Sequence, residues 1–188
     1  SSLMHIYLIE AGPRLLAGMS EESSAHAEQF LREMGVNILL NKRVVDYRDH
    51  KVVLEDGTEI ATRTFIWVSG VTGVTIGNLD ASLIGRGGRI KVDSFNRVEG
   101  MNNVFAIGDQ CIQLADENYP NGHPQLAQVA IQQGELLAKN LIRMEKGQEM
   151  KPFHYRNLGS MATVGRNRAV AEFSKVKMQG WFAWVMWL

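Results

Sequence analysis

Apolar residues in this chain come in short runs broken by glycine, proline and acidic residues, with two longer stretches at helical spacing. Met4 to Ile9 is apolar-rich and ends at Glu10, and Ala11-Gly12-Pro13 turns the chain, which predicts a buried strand. Ser20 to Met34 reads as a helix: Ser20 suits an N-cap, Glu21 and Glu22 favour its positive end, and Ala27, Phe30, Leu31 and Met34 form a packing stripe. Gly35 suits its C-terminus, and Val36 to Leu40 follows as a strand. Lys42–Tyr47, Lys51–Glu55 and Glu59–Ile60 predict a small antiparallel meander, turning at Arg48-Asp49-His50 and at Asp56-Gly57. Phe65–Val68 reads as another strand, leaving through Ser69-Gly70-Val71. Thr72 to Gly88 is glycine-rich and weakly patterned, a crossover between domains, and Arg89–Asp93 alternates like a strand.

The stretch from Val104 to Asp109 carries the first candidate chemistry. Val104–Ile107 is a continuous apolar run, which fits a strand buried on both faces of a parallel sheet, and Gly108-Asp109 follows at once. Ligands in open α/β sheets bind beyond the carboxyl ends of strands. Gly108 lets the backbone approach a ligand, and the Asp109 carboxylate can accept hydrogen bonds from a polyol. A strand followed by an ordinary Asp turn has the same spacing. Glu10 stands where an acidic residue closing the second strand of a dinucleotide-binding unit accepts from ribose hydroxyls, although a solvated strand-end glutamate reads the same way.

His123-Pro124 precedes a long helix. Its residues Ala127, Ala130, Ile131, Gly134, Ala138 and Leu141 form a narrow face of mostly small side chains, suited to close approach by a sheet or cofactor. Gln128 and Gln132 lie near its N-terminus, where free N–H groups and the dipole favour an electron-rich group. Glu135 and Lys139 have the spacing of a solvated ion pair, worth about 0.3–0.5 kcal/mol. Phe153-His154-Tyr155 and Ala169–Phe173 read as strands, and Arg166 and Arg168 between them as turn residues rather than phosphate ligands. Trp181, Trp184 and Leu188 share a helical face preceded by Lys175 and Lys177. This is either a membrane-interface segment or an aromatic lid over the protein's own core.

Composition narrows this picture. The chain has 188 residues, 45% hydrophobic and 21% charged, with 20 basic and 20 acidic residues. A balanced charge offers no basic stripe for nucleic acid. The single Cys111 excludes an intrachain disulfide and a multi-cysteine metal site, and fits a reducing compartment and a packing role. No run of about 18 apolar residues spans a bilayer. A start directly on a strand and a stop within an aromatic run predict a piece of a longer protein, cut at both ends, whose open half-sheet could pair with a second copy.

Several stretches, in order, resemble the type II NADH dehydrogenases, the single-subunit NADH:quinone oxidoreductases. They are Ile6–Leu15, Trp67–Val71, Gly88–Asp93, Asn103–Asp109, Ala127–Gly134, Gly159–Arg166 and the Trp-rich end. The Gly-Asp element is shared by many flavin reductases. The Ala-Gln-x-x-x-Gln helix start followed by Gly-Ser-Met-Ala-Thr-x-Gly-Arg is much more particular to this family. The resemblance implies an α/β fold made of parts of two Rossmann-like FAD/NAD(P)-binding domains with a small antiparallel meander. Residues 1–76 would end the NADH domain, 77–150 the FAD domain, and 151–188 would lead to a membrane-associated region. It further implies that Gly108 and Asp109 meet the FAD ribityl chain, and that Ala127 and Gln128 face the flavin pyrimidine edge. Gln128 and Gln132 would border the quinone, Glu10 would hold the NADH ribose, and Gly70 and Val71 would lie near the nicotinamide–flavin junction.

The implied partners are a quinone and the cytoplasmic face of the cell membrane, reached through the Trp-rich end. The implied chemistry needs no nucleophile and no metal. The two glycine-rich phosphate loops of the family are not in this sequence, so the polypeptide alone is expected to be inactive. A soluble ferredoxin or rubredoxin reductase and a non-enzymatic redox-sensing module are the rival readings.

Overall fold

The computed structural model describes residues 4–74, 76–173 and 176–187. The chain divides into two units, one formed by residues 1–67 with 158–188 and the other by residues 68–157.

In the first unit, β1 (Ile6–Ile9) and β2 (Val36–Leu39) pair in parallel from Ile6 opposite Val36 to Ile9 opposite Leu39. Parallel neighbours need a crossover, supplied by α1 (Glu21–Glu33). The Ser20 hydroxyl accepts from the Ser23 N–H at 3.3 Å, and Gly35 at φ +84° ends the helix. Ala27 is buried, whereas Met34, at the end of the expected stripe, is exposed.

The meander is β3 (Val44–Arg48), β4 (Lys51–Leu54) and β5 (Glu59–Ala61), all antiparallel, with Val52 and Leu54 buried. Asp49 and His50 both take positive φ, as a tight hairpin turn requires. Three more antiparallel strands close this unit, β8 (Ser160–Thr163), β9 (Ala169–Phe173) and β10 (Val176–Gln179), followed by α3 (Gly180–Trp187); the intervening β6 (Ile90–Val92) and β7 (Cys111–Gln113) belong to the second unit. Ala169, Ala171 and Ala183 form a fully buried patch there, with Met161, Phe173, Met178 and Trp184 packed against it.

The second unit holds β6 (Ile90–Val92) parallel to β7 (Cys111–Gln113), and the long helix α2 (Ala127–Glu145). Its core is Ile90, Val92, Val98, Ala106 and Cys111.

Three expected strands are corrected. Phe65–Val68 joins no ladder, and Ile66 and Val68 are 74% and 83% exposed; Phe65 instead stacks on Tyr47 at 4.8 Å. Val104–Ile107 is not a buried parallel strand. Only Phe105 bridges, antiparallel to Arg97, because the chain doubles back near Gly100. The strand parallel to β6 comes after Asp109, not before it. Phe153–Tyr155 is likewise unpaired, tied to its surroundings by side-chain amides and by the Phe153 N–H on the Ser94 carbonyl at 2.7 Å. In α2 the expected small-residue face is not the buried one. Val129, Gln133 and Asn140 are buried, while Ile131, Ala138 and Leu141 are exposed. Glu135 and Lys139, both exposed, are not paired with each other among the described residues.

Candidate functional site

The second unit gathers the richest chemistry around the start of α2. Gly108 takes φ +65°, a conformation that favours glycine, and opens a short 3-10 turn over Gly108–Gln110. A Cβ on Gly108 would lie 3.3 Å from the Ala130 Cβ, so the turn rests directly on the helix. Asp109 is exposed, and among the described residues its carboxylate has no hydrogen bond or ion pair. Its backbone carbonyl accepts from the Gln125 amide at 3.2 Å. The first turn of α2 begins at Ala127 with no side-chain cap, leaving the positive end of the helix dipole unneutralised beside this turn. Gln128 is half-buried in that first turn.

Gln132 is tied to a neighbouring backbone. Its amide donates to the Arg156 carbonyl at 2.9 Å and accepts from the Arg156 N–H at 3.0 Å, as a neighbouring strand would. Two more amides do the same. Gln110 pairs with both backbone groups of Val74 at 2.7 and 2.8 Å, and Asn140 with both of Lys151 at 2.8 and 2.9 Å. Beside Gln132 an open groove of about 280 Å³ runs between α2 and the next segment, lined by Leu136, Lys139, Phe153 and His154 among others.

Residues to which the sequence assigned no part in the site are also here. Gln133 is 1% exposed, and its Oε1 accepts from the Gly108 N–H at 2.7 Å. His123 is buried, its Nε2 is 2.9 Å from Asp116 Oδ2, and Tyr119, Phe153 and Tyr155 surround its ring. The His123 hydrogen bond holds the Asp116 carboxyl below the usual carboxylate range. Arg89 fastens two segments at once, donating to the Cys111 carbonyl at 2.6 Å and the His123 carbonyl at 3.1 Å. Burial pushes the Cys111 thiol up, so it is a packing residue rather than a nucleophile.

Gly70 sits at φ +96° with open space where a Cβ would stand, and Val71 is exposed beside it. In the first unit, Glu10 follows β1. Its Oε1 accepts from the Gly12 N–H at 2.7 Å, which fixes the carboxylate at the strand end. Oε2 has no hydrogen bond among the described residues. Arg168 is structural: it pairs with Glu33 at 2.6 Å and lies over the Phe30 ring. At the chain end Trp184 turns inward, while Trp181 and Phe182 are 56% and 73% exposed. Lys175 and Leu188 lie outside the described residues.

A parallel β-α-β crossover whose first strand ends in an acid, and a Gly-Asp turn against an uncapped helix start, define a dinucleotide-handling α/β class. The model of the pyridine nucleotide-disulphide oxidoreductase family matches residues 2–134. The chain belongs to that family. It is 35% identical, over 97% of its length and 40% of the relative's, to the type II NADH:quinone oxidoreductase NdhA of Mycobacterium tuberculosis. It is 33% identical to the mitochondrial internal alternative NAD(P)H-ubiquinone oxidoreductase A1 of Arabidopsis thaliana, over 98% of this chain and 39% of the relative. The chain thus spans about two fifths of the length of these curated relatives. The NDH2 of Plasmodium falciparum, solved in complex with NADH, has the same fold: TM-score 0.84 and 19% identity, over 98% of this chain and 53% of that one.

Proposed function

We propose that this chain is the part of an NADH:quinone oxidoreductase that carries the ribose-binding acid of the NADH site and one wall of the FAD and quinone sites. The observation that carries the reading is the Gly108-Asp109 turn lying against the uncapped start of α2, in a chain about one third identical to type II enzymes along nearly its whole length. When bound at this turn and helix start, FAD would supply the hydride and electron-transfer chemistry that links NADH to a quinone.

The residues supply binding and electrostatics. Asp109 would accept from ribityl hydroxyls with an exposed carboxylate that makes no hydrogen bond among the described residues. The α2 N-terminus at Ala127 and Gln128 stabilises negative charge next to it. Glu10, oriented by Gly12, takes ribose hydroxyls and repels a 2′-phosphate, favouring NADH over NADPH. Gly70 and Val71 present an exposed, glycine-opened segment to the nicotinamide end. Gln128 borders the quinone, and Gln132 shapes that border by holding Arg156. Exposed Trp181 and Phe182 favour docking at a membrane interface. No helix among the described residues is long and apolar enough to cross a membrane.

The test is NADH:quinone turnover by the longest natural polypeptide containing this sequence, beside its Gln128→Ala and Asp109→Ala variants. Turnover in the parent is expected, with Asp109→Ala losing flavin absorbance and Gln128→Ala raising the quinone KM. Reduction of a ferredoxin with no reduction of any quinone would transfer the chain to a soluble reductase. The 188-residue chain alone is expected to show neither tight FAD binding nor NADH oxidation.

A further inference from the structure

We propose that Gln133 is the positioning residue of the flavin turn: from inside α2 it sets where Gly108 and Asp109 stand relative to the helix N-terminus. The inference rests on the function proposed above and goes beyond it by naming what builds the site.

Gly108 is half-buried and its N–H points inward, so that donor needs a partner. The backbone offers none there, because Val104–Ile107 forms no ladder beyond the Phe105 bridge. Gln133 Oε1 fills that role at 2.7 Å. The Cys111 sulfur lies 3.7 Å from the same oxygen and 3.4 Å from the Gly108 carbonyl, so the far end of the turn is gathered on the same amide. The turn therefore cannot slide along α2 without stranding a buried donor. Asp109, next in the chain, is exposed, and its carboxylate makes no hydrogen bond among the described residues. Adjacent glutamines on different faces of one helix have different duties: Gln132 holds Arg156 and Gln133 holds Gly108.

The geometry demands an acceptor at this position and little else. Gln133→Met keeps length and removes the acceptor; Gln133→Glu keeps both. In the longest natural polypeptide containing this sequence, apoprotein is titrated with FAD and affinity is read from flavin fluorescence, with melting temperature measured alongside. Gln133→Met is expected to weaken FAD binding tenfold or more, and Gln133→Glu to stay within threefold of the parent. Amide exchange at Gly108 should be slow in the parent and fast in Gln133→Met.

A folded Gln133→Met variant with parental affinity would overturn the inference and leave the functional reading intact. A parent that binds no FAD would overturn the functional reading itself. Should Gln133→Met fail to fold, a folded Gln133→Glu variant decides: parental affinity supports the inference and a tenfold loss overturns it. Should neither fold, exchange at Gly108 in the parent decides, since an unprotected amide there contradicts the bond on which everything rests.

Discussion

Asn140 is completely buried, and its amide both donates to and accepts from the backbone of Lys151. Replacing it with leucine keeps the volume and strands two backbone groups. Lys151 is exposed, so water recovers part of the loss, and the expected cost is about 1–2 kcal/mol in urea unfolding. Asn140→Asp is expected to destabilise as well, because a carboxylate can accept from the Lys151 N–H but repels its carbonyl. Glycines separate two other effects. Gly122 takes φ +85°, and a Cβ there would stand 2.6 Å from Ile112 Cγ1; Gly147 takes φ +64° with open space around it. Gly147→Ala should cost only the backbone penalty, about 1 kcal/mol. Gly122→Ala adds overpacking and should cost about 2–4 kcal/mol by the same measurement.

Among the elements, α1 has an unusual start. Glu172 of β9 accepts from the Ser20 N–H at 3.0 Å, the Ser23 hydroxyl at 2.6 Å and the Ser20 hydroxyl. Burial works against its charge, yet these donors outweigh that and hold the carboxyl below the usual glutamate range. A depressed folded-state value means the stabilisation is fully present above the unfolded value and is lost as pH falls through the folded one. Stability should therefore decline on acidification below about pH 5, and Glu172→Gln should flatten that decline in melts run across the range. Ser20→Ala should cost about 1 kcal/mol through the lost cap.

None of this contact was legible in the sequence, because Ser20 and Glu172 meet only through tertiary packing. Elements with a strong period or turn chemistry were legible: β1, α1, β2, the β3–β5 meander and α2. The three misread strands share a physical cause. Apolar runs such as Phe65–Val68 and Val104–Ile107 report a tendency to be buried, and carry no information on whether a neighbouring backbone is there to pair. β8 and β10 went unseen because short, polar-mixed strands are specified by their neighbours. Local spacing marked the Gly108-Asp109 turn, Glu10 at the end of β1 and the start of α2, although the strand expected to lead into Asp109 is not there. Gln133 was not, because nothing local distinguishes a glutamine aimed at Gly108 from one aimed at solvent.

At the scale of the whole chain, the unit holding β1 and α1 is discontinuous, completed by residues 158–188. Ending the chain after Asn157 removes β8–β10, α3 and the carboxylate that caps α1. Amides in the first turn of α1 should then exchange faster, while those of β6 and β7 keep their protection. Trp181→Ser with Phe182→Ser should leave folding intact and weaken co-sedimentation with anionic vesicles, because both side chains are exposed. The side-chain amides on Val74, Arg156 and Lys151 have a consequence for descent as well as for stability. A segment fastened by a backbone ladder keeps its place whatever residues it carries. A segment fastened by side-chain amides keeps its place only while those residues persist, so single changes at Gln110, Gln132 or Asn140 loosen one attachment at a time. Lineages could reshape the surroundings of the site piecemeal, without disturbing the sheets that support it.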